Sequence, residues 1–404
     1  MYARIWYFHQ MRVLKKQNAI PRFLLLSPSN RAPALTAVSE FTISFSEFTK
    51  CGGEGMGDAS KIAENAYLCL TKLNAIIQMN KSKKIVQPPF LKAGDKVALV
   101  SPAYWVPQEA LQQAAETIRG WGLQPVIGPN TNNLNVNAYA GTADERAADL
   151  LWAFEDDTIK AVICSRGGYG SIHLLSRIAL ECFQQHPKWL IGHGDITILL
   201  YAVAAAGVMS IHGPMAFQIA SSQEPATTLV RNILFGMLPQ FIIPGNPYNR
   251  IGHAEGTLVG GNLSSYSAIA GTKFHLPFQQ DIILFVEEVE ESLHGIDRLF
   301  YMLRLQIMFE NVKGIIFGTF NSIKYDLQYG SVEQMLVAHL QDFDIPICCG
   351  FPVGSNSCIP LIEGAPCSLD VTADSATLTF KMKGTVEHYD VIAEAPHLMK
   401  EKEL

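Results

Sequence analysis

From residue 90 onward, short β-branched apolar runs alternate with stretches of helical period. That alternation leads to an open, mostly parallel sheet with flanking helices. Residues 96–101 form the first strand. Pro107 then opens a helix whose apolar positions Leu111, Ala115 and Ile118 share one face, and Gly120 or Gly122 stops it. Residues 124–127 read as the next strand. Thr142 followed by Glu145 is a capping box, in which two orphan backbone N–H groups are satisfied reciprocally, and Leu150, Leu151 and Phe154 extend that helix. Strands at 161–165, 189–193 and 208–211, with a short helix after Gly170 and another from Asp195, complete an N-terminal α/β domain over 85–240. The Pro- and Gly-rich segment 241–252 reads as a linker. Beyond it, 253–390 reads as a smaller mixed α/β domain. Its strands are expected at 256–259, 282–287, 314–320 and 346–351, its helices near 262–270, 295–308 and 331–341, and its closing hairpin at 368–371 with 376–380. Residues 391–404 read as a solvated tail.

Residues 1–84 differ from all this. They are aperiodic and rich in Ser and Thr, with one helical candidate at 59–78, and read as an appended segment. Met79 opens a polar lead-in to the first strand and is the expected start of translation. The chain is 48% hydrophobic and 17% charged, enough apolar material to fill full cores. A net charge of -6, with no stripe of Lys and Arg, argues against a nucleic-acid partner. The longest apolar stretch, 196–211, is interrupted by Thr197 and Ser210 and is shorter than the roughly 20 residues of a membrane span. Lys15 and Lys16 precede only a short apolar run at 23–26, which is no signal sequence, so a cytoplasmic protein is expected. The eight cysteines form no CxxC pair and are expected to be reduced and buried.

In open α/β sheets ligands bind beyond the carboxyl ends of strands, so the strand-to-helix turns are the first candidates. Ser165-Arg166-Gly167-Gly168-Tyr169-Gly170 offers bare backbone amides and a guanidinium to an anion or a developing oxyanion; a tight turn needing positive φ accounts for its glycines equally well. Gly192-His193-Gly194-Asp195 is the second turn, with Asp195 placed to cap the following helix. Neither has dinucleotide-fingerprint spacing, and no cofactor is expected. The eleven histidines include no HExxH, and His193, His212 and His253 lie on different elements, so no metal site is expected either. The acidic run 287–291 ends an apolar strand. One of Glu287 and Glu288 must therefore face the buried side, while Glu290 and Glu291 fit a solvated turn.

Over residues 87–370 the sequence resembles the LD-carboxypeptidases, a family of serine peptidases that includes the muramoyltetrapeptide carboxypeptidases and the microcin C self-immunity peptidases. The resemblance rests on Pro88-Pro89-Phe90-Leu91-Lys92-Ala93-Gly94-Asp95, on Ala140-Gly141-Thr142 with Arg146 and Asp149-Leu150, and on Arg166-Gly167-Gly168-Tyr169-Gly170. Further matches are Trp189-Leu190-Ile191-Gly192, Asp195-Ile196-Thr197, His212-Gly213-Pro214-Met215, Gly260-Gly261-Asn262-Leu263, Ile296-Asp297-Arg298 and Gly350-Phe351-Pro352-Val353-Gly354. The resemblance implies a two-domain homodimer acting on a murein tetrapeptide, from which terminal D-Ala is hydrolysed. It also implies a Ser-His-Glu triad: a nucleophile on an elbow reading G-[FY]-S-D, a Glu ending a strand of the second domain, and a His following G-F-P-x-G.

Here the elbow carries Gly194 at the nucleophile position, and Ser355 stands at the base position. Glu287 alone matches the triad. Glycine has no atom to attack a carbonyl, and a serine hydroxyl cannot accept a proton at neutral pH as imidazole does. The oxyanion donors expected from the resemblance, the amides of Gly167 or Gly168 and of Asp195, with Arg166 nearby, belong to the backbone and survive such changes. Residue types therefore favour a protein that binds murein tetrapeptide, or a related peptide, without cutting it. Two alternatives stand beside it: hydrolysis by displaced residues such as Ser171, Ser355 and His193, and a structural or interaction subunit.

Overall fold

The computed structural model describes residues 85–392, except 136, 221–224, 270–271, 273–279, 327 and 355–357. The appended segment, its helical candidate, Met79 and the end of the tail lie outside the described residues. The first sheet is built from β1 (Lys96–Val100), β2 (Gln124–Ile127), β3 (Ile159–Cys164), β4 (Trp189–Gly192) and β5 (Ser210–His212), all parallel. Helices α1 (Gln108–Gly120), α2 (Ala143–Glu155), α3 (Leu180–Gln185), α4 (Thr197–Ala205), α5 (Ala216–Ala220) and α6 (Pro225–Leu234) follow in chain order. Strands β3 and β4 read as apolar runs because central parallel strands are covered on both faces. The capping box at the start of α2 forms as expected: Thr142 Oγ1 accepts from the Glu145 amide at 3.2 Å, and Glu145 Oε2 accepts from the Thr142 amide at 2.7 Å. Thr142→Ala is expected to cost about 1 kcal/mol in urea denaturation, the usual worth of such a cap.

The second sheet has eight strands. They are β6 (Met237–Pro244), β7 (Gly252–Asn262), β8 (Ile282–Val289), β9 (Val312–Asn321), β10 (Ile347–Cys349), β12 (Pro366–Val371), β13 (Ser375–Phe380) and β14 (Glu387–Ile392), in the order β10-β9-β8-β7-β12-β13-β6-β14. Helices α7 (Leu263–Ala268), α8 (Leu293–Arg304) and α9 (Val332–Ala338) complete this half. The hairpin of β12 and β13 is antiparallel, as the alternating residues imply. The segment read as a linker departs from expectation, because Phe241–Pro244 are the end of β6, paired with β13 and β14. Pro239 and Pro244 masked a strand whose neighbours come from far along the chain. The expected tail likewise begins within β14.

The remaining strand crosses between the halves. β11 (Leu361–Glu363) pairs antiparallel with β5 at the edge of the first sheet, Leu361 opposite His212 and Glu363 opposite Ser210. Among the described residues no helix is long and apolar enough to cross a membrane, and the six described cysteines are unpaired and buried.

Candidate functional site

β4 delivers the chain to its carboxyl end at Gly192, where a β-carbon would stand 2.7 Å from Ile196 Cγ2. Only glycine lets the following turn fold back so closely. His193 is extended, and Gly194 takes φ +61° before a short 3-10 turn, Gly194–Ile196, leads into α4. A strained strand-to-helix turn of this kind is what an elbow uses to present a nucleophile. A β-carbon built at Gly194 meets no atom of the described residues within 4 Å, so among them the elbow leaves its side-chain space open.

Asp195 does not cap α4. The 3-10 turn moves the start of that helix to Thr197, and the Asp195 carboxylate accepts the Ser171 amide at 2.8 Å together with the Ser171 hydroxyl. Ser171 Oγ also lies 2.7 Å from the Asp195 carbonyl oxygen. The two strand-to-helix turns are thus tied to each other. The Gly-rich turn is the tight, positive-φ turn that its glycines allow. Gly168 and Gly170 have φ of +104° and +118°, and a β-carbon at Gly168 would overlap the Tyr104 ring at 2.3 Å. A β-carbon at Gly167 would stand 3.2 Å from the His193 carbonyl oxygen and 3.6 Å from the Asp195 amide nitrogen, so its backbone lies against the elbow. Buried Arg146 fixes the turn, with Nη1 donating to the carbonyls of Pro102 at 2.6 Å and Gly170 at 3.0 Å. Arg166 is exposed, its guanidinium 5.6 Å from the Phe217 ring centroid, and makes no ion pair among the described residues.

Both Glu287 and Glu288 are buried, one more than strand alternation requires. Glu288 is satisfied: it accepts the Asn262 amide nitrogen at 2.7 Å, the Ser264 backbone N–H at 2.8 Å and the Ser264 hydroxyl at 2.6 Å, at the start of α7. Neither oxygen of Glu287 has a hydrogen-bond partner among the described residues. Burial, with the Glu288 charge beside it, pushes the Glu287 carboxyl up to about 8. A β-carbon at Gly354 would lie 3.2 Å from Glu287 Oε2, so the Gly350-Phe351-Pro352-Val353-Gly354 loop reaches the triad carboxyl. Ser355, next in that loop, is outside the described residues.

The fold adds a neighbour that sequence reading missed. His212 Nε2 stands 3.9 Å from Glu287 Oε1, beyond hydrogen-bond reach, and both side chains are fully buried. Burial, reinforced by His193, holds the His212 imidazole well below its ordinary value. At neutral pH this is a contact between two largely uncharged groups. His193 lies 6.0 Å from His212 between ring centroids. Gln218 Oε1 takes the Met215 amide, and the Gln218 side chain also meets His193 Nε2, with Nε2 at 2.8 Å and Oε1 at 3.1 Å. His193 Nδ1 is a buried nitrogen with no partner among the described residues. His253 stands apart from these two, exposed and bonded to Asp370. Two sequence signals pointed at His212, its place at the carboxyl end of a parallel strand and the His212-Gly213-Pro214-Met215 match, but neither linked it to Glu287. Among the described residues no group of three His, Cys, Asp or Glu is placed to hold a metal.

The LD-carboxypeptidase N-terminal domain family matches residues 97–213, and the LD-carboxypeptidase C-terminal domain family matches 255–369. A putative carboxypeptidase of Synechocystis is 34% identical over 304 residues, 74% of this chain and 98% of that one. A probable murein peptide carboxypeptidase of Bacillus subtilis is 30% identical over 304 residues, 72% of this chain and 94% of the relative. The fold is similar to the crystal structure of a muramoyltetrapeptide carboxypeptidase from Oxalobacter formigenes. That likeness has a TM-score of 0.63 at 24% identity and covers 71% of this chain and 99% of that one.

Proposed function

Because this chain belongs to the LD-carboxypeptidase family, we propose that it is a cytoplasmic, dimeric member that binds murein tetrapeptide and has lost the ability to hydrolyse it. One observation carries the reading. The elbow keeps the φ +61° of a nucleophile turn and the space for a side chain, yet the residue there is glycine. The family reaction needs a serine oxygen at that point and a histidine after the G-F-P-x-G loop, and the sequence has Gly194 and Ser355 at those positions. What is left suits binding: the Gly-rich turn laid against the elbow, the exposed Arg166, and the buried Glu287. The Bacillus subtilis relative's name supports murein peptide as the ligand class.

Displaced catalysis has little to work with. The Ser171 hydroxyl is fully buried and bound to Asp195, and His193 Nε2 is engaged by Gln218. Purified protein mixed with murein tetrapeptide is expected to show saturable heat of binding and D-Ala release no faster than the no-protein control. Turnover abolished by Ser171→Ala or Ser355→Ala would overturn this and return the chain to the active members of its family.

A further inference from the structure

We propose that the open space at Gly194 receives one carboxylate oxygen of a peptide ending in a free carboxyl group, so that the site prefers murein tripeptide to the uncut tetrapeptide. This rests on the reading above that murein peptides are the ligands. In an active serine enzyme the acyl intermediate holds its carbonyl carbon between two oxygens, one on the oxyanion donors and one belonging to the serine. Here no serine oxygen exists, and a β-carbon at Gly194 would meet nothing within 4 Å among the described residues. A free carboxylate reproduces both oxygens without a covalent bond. One oxygen faces the amides where the Gly167 backbone lies against Asp195, and the other enters the space at Gly194.

An uncut peptide bond has one oxygen to offer, and its nitrogen carries a proton and a further residue. The tetrapeptide's own carboxylate lies one residue beyond the point where the two turns meet. The positive end of α4 begins just after the elbow, and the exposed Arg166 guanidinium, in the adjoining Gly-rich turn, has no carboxylate partner among the described residues. Among the described residues, His193 Nδ1, both nitrogens of His212 and both oxygens of Glu287 are buried polar atoms without partners.

The test is calorimetric titration of the full chain at pH 7 with three probes: murein tripeptide, the same tripeptide with a C-terminal amide, and murein tetrapeptide. The tripeptide acid is expected to bind about ten-fold or more tightly than either other probe. Gly194→Ala, whose methyl group enters the space, is expected to remove most of that preference; the three-probe comparison on the unaltered chain holds whether or not this variant folds. Equal or tighter binding of the amide or the tetrapeptide would overturn the proposal while leaving murein-peptide binding intact. Binding of none of the three would overturn both.

Discussion

Gly194→Ser combined with Ser355→His is expected to raise D-Ala release from murein tetrapeptide from background by about a thousand-fold or more, whereas Gly194→Ser alone stays at background. The asymmetry follows from the way triad members act: loss of nucleophile or base alone costs a serine protease about a million-fold, nearly as much as losing everything. The structure favours the double variant. Its elbow already has φ +61° and, among the described residues, open space, and the loop preceding position 355 runs close beside Glu287 at Gly354. Serine at a left-handed position costs about 1–2 kcal/mol of stability, which a parallel melting curve will register. A double variant that melts normally and stays inert would place the drift elsewhere, first at His212, whose ring packs 5.2 Å from Phe285 between centroids.

Glu287→Gln is expected to leave stability within about 1 kcal/mol at pH 5 and to raise it by about 4 kcal/mol at pH 8. Burial lifts the folded carboxyl from an ordinary value of 4.5 to about 8. Below the ordinary value both folded and unfolded chains keep the proton, so nothing is lost. Between the two values the unfolded chain alone ionises, and rising pH favours unfolding; above about 8 both ionise and the cost levels off. Glutamine has no proton to release, so the variant escapes this slope. The buried Glu363 shifts in the same direction, but it is present in both forms and cancels in the comparison. His193 and His212, held below their ordinary values, take stability away on the acid side, again in both forms. Urea denaturation at pH 5, 7 and 8 checks the difference. A loss of more than about 2 kcal/mol at pH 7 would mean that Glu287 is ionised against a charged partner, with His212 the nearest candidate.

The parallel core was legible because its strands are short apolar runs between amphipathic helices, and the Thr142–Glu145 cap because its signal is local. β6 was not, since two prolines and the glycine after it imitate a linker while its pairing depends on residues more than a hundred positions away. The three residues of β11 carry too little pattern to announce a strand, still less which sheet it joins. At the site, Gly194 and Glu287 were found through motif resemblance. The helix-capping task read for the Asp195 carboxylate was the wrong one, because a capping side chain and one that clasps a distant serine look alike in sequence. His212 and Glu287 belong to strands of different sheets, and no spacing rule connects β5 with β8.

The return of β11 to the first sheet has a consequence for biosynthesis. While the chain leaves the ribosome, the outer side of β5 has no strand beside it until Leu361–Glu363 arrive. At ordinary elongation rates, the roughly 150 intervening residues take on the order of ten seconds to appear. For that interval the nascent N-terminal half presents bare strand-pairing groups, the template on which chains aggregate. Translation stalled or truncated after β5 should therefore yield insoluble product, and a separately supplied C-terminal half should rescue it only if present before that edge finds another strand.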